Sequence, residues 1–178
     1  MLNKYKHGSS LMLFAFLMQL SMMLQTASGF FTGLISVDDS KIQMRDRTFT
    51  FNLSHNTKIV QNNSKIVIRF PDDFQEQFTV TDCTSISGFS SGTNGQELDC
   101  VYTSSVNILT IYLPLPPDLT LTELKFTVKG VTNPLVATMT GFFTVTSYEK
   151  KSNGRWSALE NSDGSLRMNF SPGALSTT

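Results

Sequence analysis

The segment Ser64-Lys65-Ile66-Val67-Ile68-Arg69-Phe70-Pro71 limits what this chain can become more than any other. Ile66, Ile68 and Phe70 fall on one side of an extended backbone, with Lys65 and Arg69 on the other. That period of two marks a strand with one buried face. Pro71 ends it, because proline has no N–H to offer a continuing ladder. The same grammar recurs along the chain. Phe49, Phe51 and Leu53 alternate with Thr48, Thr50, Asn52 and Ser54. Leu124, Phe126 and Val128 alternate with Glu123, Lys125, Thr127 and Lys129, and Gly130 with Asn133-Pro134 closes that strand. The strands at 48–54 and 64–70 are expected to face each other across the core or to pair nearby.

Other segments carry the pattern less cleanly. Leu98, Cys100 and Tyr102 share one face and Leu109, Ile111 and Leu113 another, with Ser104-Ser105-Val106-Asn107 placed to join them as a hairpin. Short strands are expected at 33–37 and 141–148, a short edge strand at 78–80, and weaker ones at 156–159 and 166–170. Residues 84–96 are rich in Ser, Gly, Thr and Asn and read as a surface loop. Pro114-Leu115-Pro116-Pro117 cannot lie inside a sheet and reads as an extended crossover. No segment sustains an apolar period of 3.6. Seven to nine short strands at this spacing form an antiparallel β-sandwich.

The first residues are set apart from that fold. Lys4 and Lys6 precede an apolar run over 11–24, and Ala27-Ser28-Gly29 supplies the small residues a signal peptidase reads. The run is broken by Gln19 and Ser21, and at about 14 residues it is too short for the ~20 that a bilayer helix needs. A signal peptide over 1–29 is therefore expected, with an export-competent sandwich over 30–170 and a tail over 171–178. Removing Lys4 and Lys6 from the 14 basic residues leaves 12 against 14 acidic ones, a net charge of −2. So even a balance argues against nucleic acid as a partner. No second apolar stretch implies a membrane span or a lipid-anchor signal in the mature chain.

Chemistry-bearing residues are few. Cys83 and Cys100 are the only cysteines, and in an oxidising compartment an even count predicts a disulfide. Asn52, Asn62 and Asn169 each open an Asn-x-Ser sequon. The strand phase turns Asn52 and Asn169 outward and puts Asn62 in a loop, while Pro172 directly follows the third sequon. Gly88-Phe89-Ser90-Ser91-Gly92 matches the pattern of a serine nucleophile. That chemistry needs a strand-to-helix elbow and a histidine base, and a Ser/Gly-rich loop supplies neither. His55 is the single histidine beyond the leader, so neither a zinc set nor a catalytic triad is expected. Asp38-Asp39 and Asp72-Asp73 carry oxygen ligands of the kind calcium takes, but paired aspartates are commonly solvated turns. No cofactor is expected, and no enzyme.

The strand ending in Phe70-Pro71, then Cys83 and Cys100, then Leu124-Lys125-Phe126-Thr127-Val128-Lys129-Gly130-Val131-Thr132-Asn133-Pro134, then Gly141-Phe142-Phe143-Thr144-Val145, resembles a repeated Ig-like module. Such modules occur in very large surface proteins of ciliated protozoa, with similar ones in some bacterial surface proteins. The resemblance covers 31–178. It implies an Ig-like sandwich, secreted or at the cell surface, with a structural or adhesive role and with surface proteins or glycans as partners. It brings no catalytic residues. The alternative reading is a soluble ligand- or glycan-binding domain that uses the loop from Thr84 to Gln96. Phe31-Thr32-Gly33-Leu34-Ile35-Ser36-Val37 also resembles Ser171-Pro172-Gly173-Ala174-Leu175-Ser176-Thr177, so the tail is expected to be the start of a second, truncated module.

Overall fold

The computed structural model describes residues 29–54, 64–74, 78–88, 95–113, 123–136 and 139–172. Residues 1–28 of the expected leader, His55, Asn62, Ser90, the proline-rich crossover from Pro114 and residues 173–178 of the expected tail lie outside them. Nine strands form among the described residues: β1 (Gly29–Val37), β2 (Arg47–Ser54), β3 (Ser64–Arg69), β4 (Asp82–Ser87), β5 (Cys100–Thr103), β6 (Ile108–Tyr112), β7 (Glu123–Val131), β8 (Thr144–Lys150) and β9 (Trp156–Ser162). The only helical turn among the described residues is the short 3-10 segment Ser104–Val106, which Asn107 ends in a left-handed conformation. It joins β5 to β6 in the expected hairpin, with Cys100 opposite Ile111 and Thr103 opposite Ile108.

The strands divide into two sheets, ordered β4-β7-β2-β1 and β9-β8-β3-β6-β5. All ladders are antiparallel except the short one between β1 and β9. β2 and β3 lie in different sheets and face each other across the core. Their inward residues Phe49, Phe51, Leu53, Ile66 and Ile68 are fully buried, as alternation requires. Much of the core is aromatic. Phe70 meets Phe49, Phe51, Phe74, Phe78, Tyr102 and Phe143 at centroid distances of 5.2–6.5 Å, all tilted or edge-on. Those are the geometries that ring quadrupoles favour. Pro71 explains how Phe74 joins them: the Phe74 N–H donates to the Pro71 carbonyl, and the tight turn drops Phe74 back inside.

Each end of the sandwich is closed by a segment that changes sheets. β1 pairs with β9 through Gly29, Phe30 and Phe31, then with β2 from Thr32 to Val37. Gly33 sits at the change with φ +148°, and a Cβ there would lie 2.0 Å from the Asn52 carbonyl oxygen. Only glycine fits both the conformation and the space. At the opposite end, residues 95–98 pair with β4 and the next residues pair with β6. Leu98 N–H donates to the Cys83 carbonyl and Ser85 N–H to that of Gln96, before β5 joins β6. Part of each edge that an open sandwich would expose is thus engaged, which shortens the template for edge-to-edge aggregation.

Several local expectations need correction. Residues 84–87 belong to β4, not to a loop, and pair with β7. Their alternation is masked because the buried inward residue is Ser85, whose hydroxyl donates to the Gln96 carbonyl and accepts from the Gln96 N–H. Residues 78–80 form no strand, yet Phe78 is buried and stacks on Tyr102 at 4.3 Å. Residues 166–170 form only an isolated bridge, between Met139 and Asn169. The face shared by Leu98, Cys100 and Tyr102 spans a change of partner: β5 begins at Cys100, and Leu98 before it pairs with β4 of the other sheet.

Candidate interaction surfaces

Cys83 of β4 and Cys100 of β5 form the expected disulfide, with Cα atoms 6.3 Å apart. It joins the two sheets at the end where residues 95–98 change over. The sequons differ in setting. Asn169 is exposed. Asn52 faces outward on β2 but is half-buried, with Oδ1 shut off from solvent and without a hydrogen-bond partner among the described residues.

The aspartate pairs are engaged in turns and loop contacts. The Asp38 carboxylate accepts from the Asp39 N–H and lies 3.9 Å from the Arg47 guanidinium. Asp39 accepts from the Lys41 N–H. Asp73 accepts from the Gly141 N–H at 2.6 Å, tying the turn after β3 to the segment that leads into β8. Among the described residues, no group of three or more His, Cys, Asp or Glu side chains is placed to hold a metal ion. No helix among them is long and apolar enough to cross a membrane. Burial raises the pKa of Tyr102, whose hydroxyl donates to Asn107 Oδ1. Hydrogen bonds from Ser165, side chain first and then backbone, lower that of Asp163. Neither group lines the surface described next.

The Asp73–Gly141 contact lies in the lining of a groove of about 780 Å³. Arg69, Pro71, Asp72 and Asp73 line one side, and Leu135, Val136 and Phe142 the other. The apolar wall is unusual in its exposure: Leu135 is 48% exposed, Val136 65% and Phe142 52%. The Arg167 guanidinium lies 5.4 Å from the centre of the Phe142 ring and shields one part of it. Sequence periodicity could not find this wall, since it belongs to no strand. Its one signal was Asn133-Pro134, which stops β7 and turns the next residues outward. The groove offers apolar contact beside both signs of charge, with no histidine, cysteine or lysine among its lining residues.

Comparison with protein-family models finds no match, and comparison with curated proteins also finds none. Solved structures do resemble it in fold. One is a cohesin module from a family 33 glycoside hydrolase of Clostridium perfringens, 14% identical, covering 76% of this chain and 92% of that one with a TM-score of 0.45. Another is the collagen-binding domain of a Staphylococcus aureus adhesin, 8% identical, covering 75% and 93% with a TM-score of 0.42. A third is the partial N-terminal region of an enterococcal surface protein, 10% identical, covering 80% of this chain but 43% of that one, with a TM-score of 0.45. All three are parts of bacterial proteins.

Proposed function

We propose that this chain is an extracellular, non-enzymatic sandwich module with a structural or adhesive role, whose docking contact is the groove beside Phe142. The exposed wall of Leu135, Val136 and Phe142 carries this reading. Apolar side chains of this size at a groove rim mark an interaction site when polar and charged residues flank them. The leader-like start of the sequence and the disulfide between the sheets support export to an oxidising compartment. Sheets joined to each other at both edges, by β1 with β9 and by residues 95–98 with β4, support a mechanical or scaffolding task.

The test is expression of the full chain in a eukaryotic secretory host. The protein is expected in the medium with Cys83 and Cys100 oxidised, and beads coated with it are expected to adhere to cells or to one another. Phe142→Asp and Val136→Asp should abolish adhesion and leave the melting temperature within a few degrees. Retention of the wild-type chain inside the cell, or adhesion indifferent to both substitutions, sinks the proposal.

A further inference from the structure

The two outer faces of the sandwich differ in charge pattern. On the β4-β7-β2-β1 sheet, acids and bases are mixed: Glu123, Lys125 and Lys129 lie along β7, and Lys129 pairs with Asp82 of β4 at 3.4 Å. On the other sheet, the outward positions include Lys65 and Arg69 of β3, Tyr148 and Lys150 of β8, Trp156 of β9 and Tyr112 of β6. None of the outward positions of β3, β5, β6, β8 and β9 is an aspartate or glutamate. Glu149 and Glu160 of these strands turn to the other side, where Glu149 binds Lys151 and Glu160 is buried. Asp99, just before β5, stands at the far edge from Trp156. Lys65, Arg69 and Lys150 have no carboxylate partner among the described residues.

Register then gathers the rings around one cation. Lys65 is directly opposite Tyr148 on one side and Tyr112 on the other, and Trp156 follows one strand further out, opposite Lys150. The Lys65 ammonium lies 4.4 Å from the centre of the Trp156 ring and 5.4 Å from that of Tyr148. Two rings hold a flexible side chain in place, so little of its freedom remains to be lost on binding. Trp156 is 37% exposed and Tyr112 38%, so a flat strip of ring surface reaches solvent across the four strands. Neighbouring strands are about 4.8 Å apart, which makes the strip long enough for several linked rings.

We propose that this outer face binds an anionic polysaccharide, with Trp156 and Tyr112 packing against sugar rings and Lys65, Lys150 and Arg69 meeting sulfate or carboxylate groups. Sugar rings present C–H faces that suit aromatic side chains, while the acidic substituents meet cations that have no carboxylate partner among the described residues. The balanced net charge hides this surface, because none of the outward positions of its five strands is a carboxylate. The assignment deepens the extracellular reading and rests on it for its setting, but not for its measurement. It places glycan contact on a sheet face rather than on the loop from Thr84 to Gln96.

The experiment is direct binding of the purified, oxidised full chain to heparin as a sulfated chain, to polygalacturonate as a carboxylated chain and to dextran as a neutral one. At least one anionic chain should bind, weakening as salt rises, while dextran does not. Trp156→Ala and Lys65→Gln should each weaken binding about tenfold. Lys150→Gln, fully at the surface, should weaken it about threefold even if the other two variants fold poorly. Lys129→Gln, on the other sheet, should leave it unchanged. Preference between heparin and polygalacturonate then identifies the acidic group. Failure of both anionic chains to bind overturns the proposal. So does binding unchanged by Lys150→Gln, or tighter binding to phosphatidylserine vesicles or duplex DNA than to either glycan. None of these outcomes depends on whether the chain is exported, or on whether the Phe142 groove adheres.

Discussion

Asn133 is buried to 1% exposure, and its amide group donates to the carbonyls of Asp39 and Lys41 at 2.7 and 2.6 Å. Its own N–H donates to the Met44 carbonyl. One side chain at the end of β7 therefore pins the loop between β1 and β2, some ninety residues earlier in the chain. Asn133→Ala leaves those two carbonyls unpaired in a buried site and should cost roughly 1–3 kcal/mol. Asn133→Asp should cost more, because a carboxylate has no proton to give and would set a charge against two carbonyl oxygens. Urea unfolding of the two variants checks the order, and an aspartate variant as stable as the alanine one would contradict this role. The segment from Gly130 to Pro134 was distinctive in the sequence as a strand ending. That its asparagine reaches into another loop was not legible, since no local pattern encodes a partner so distant.

At the scale of elements, legibility followed side-chain size. β2, β3 and β7 were readable because large apolar residues fill nearly all their inward positions and polar ones most of their outward positions, Ser64 and Val67 of β3 being exceptions. β4 was not, because Cys83 and Ser85 fill its inward positions and its outward ones include Asp82 and Thr84, which together look like a loop. The sheet changes at Gly33 and before Cys100 were also invisible, for a different reason. Alternation continues unbroken through a change of partner, so periodicity reports the strand and not the sheet. The exposed wall of Leu135, Val136 and Phe142 lies outside any period. β3 remains the element on which the others depend, as the 64–71 pattern implied. Ile68 is fully buried between Leu109 and Val145 on the neighbouring strands. Ile68→Asp would bury a carboxylate without a partner, a loss above about 4 kcal/mol that few domains survive. The variant should be retained by a secretory host, whereas Val67→Thr on the outward side should be exported at wild-type levels. Normal export of a folded Ile68→Asp protein would refute the assignment of the core.

At the scale of the whole molecule, the two closures are not equivalent. At the β1 end the backbone alone makes the crossing, and Gly33 fits it sterically. At the β4–β5 end the crossing depends on a few hydrogen bonds, from Ser85, Gln96 and Leu98, reinforced by the Cys83–Cys100 bridge. Two cysteines in a chain expected to be secreted predicted a bond, but only the fold shows that it ties one sheet to the other. Closing a loop of 17 residues restricts the unfolded chain by roughly 3 kcal/mol. Replacing both cysteines with alanine should therefore lower the stability by about that amount, read from urea denaturation. The loss should also have a location. Without the bridge, the pairing of residues 95–98 with β4 is held by too little to resist opening, so the edges of both sheets become transiently free. Amide exchange at Ser85, Gln96 and Leu98 should accelerate well beyond the change in global stability, while Phe51 and Phe126 in the centre of their sheet should exchange only with global unfolding. Freed edges also predict concentration-dependent aggregation of the double variant at temperatures where the oxidised protein stays monodisperse. Uniform acceleration at all five amides would mean that the bridge stabilises the chain only through its unfolded state, and that the closure stands without it.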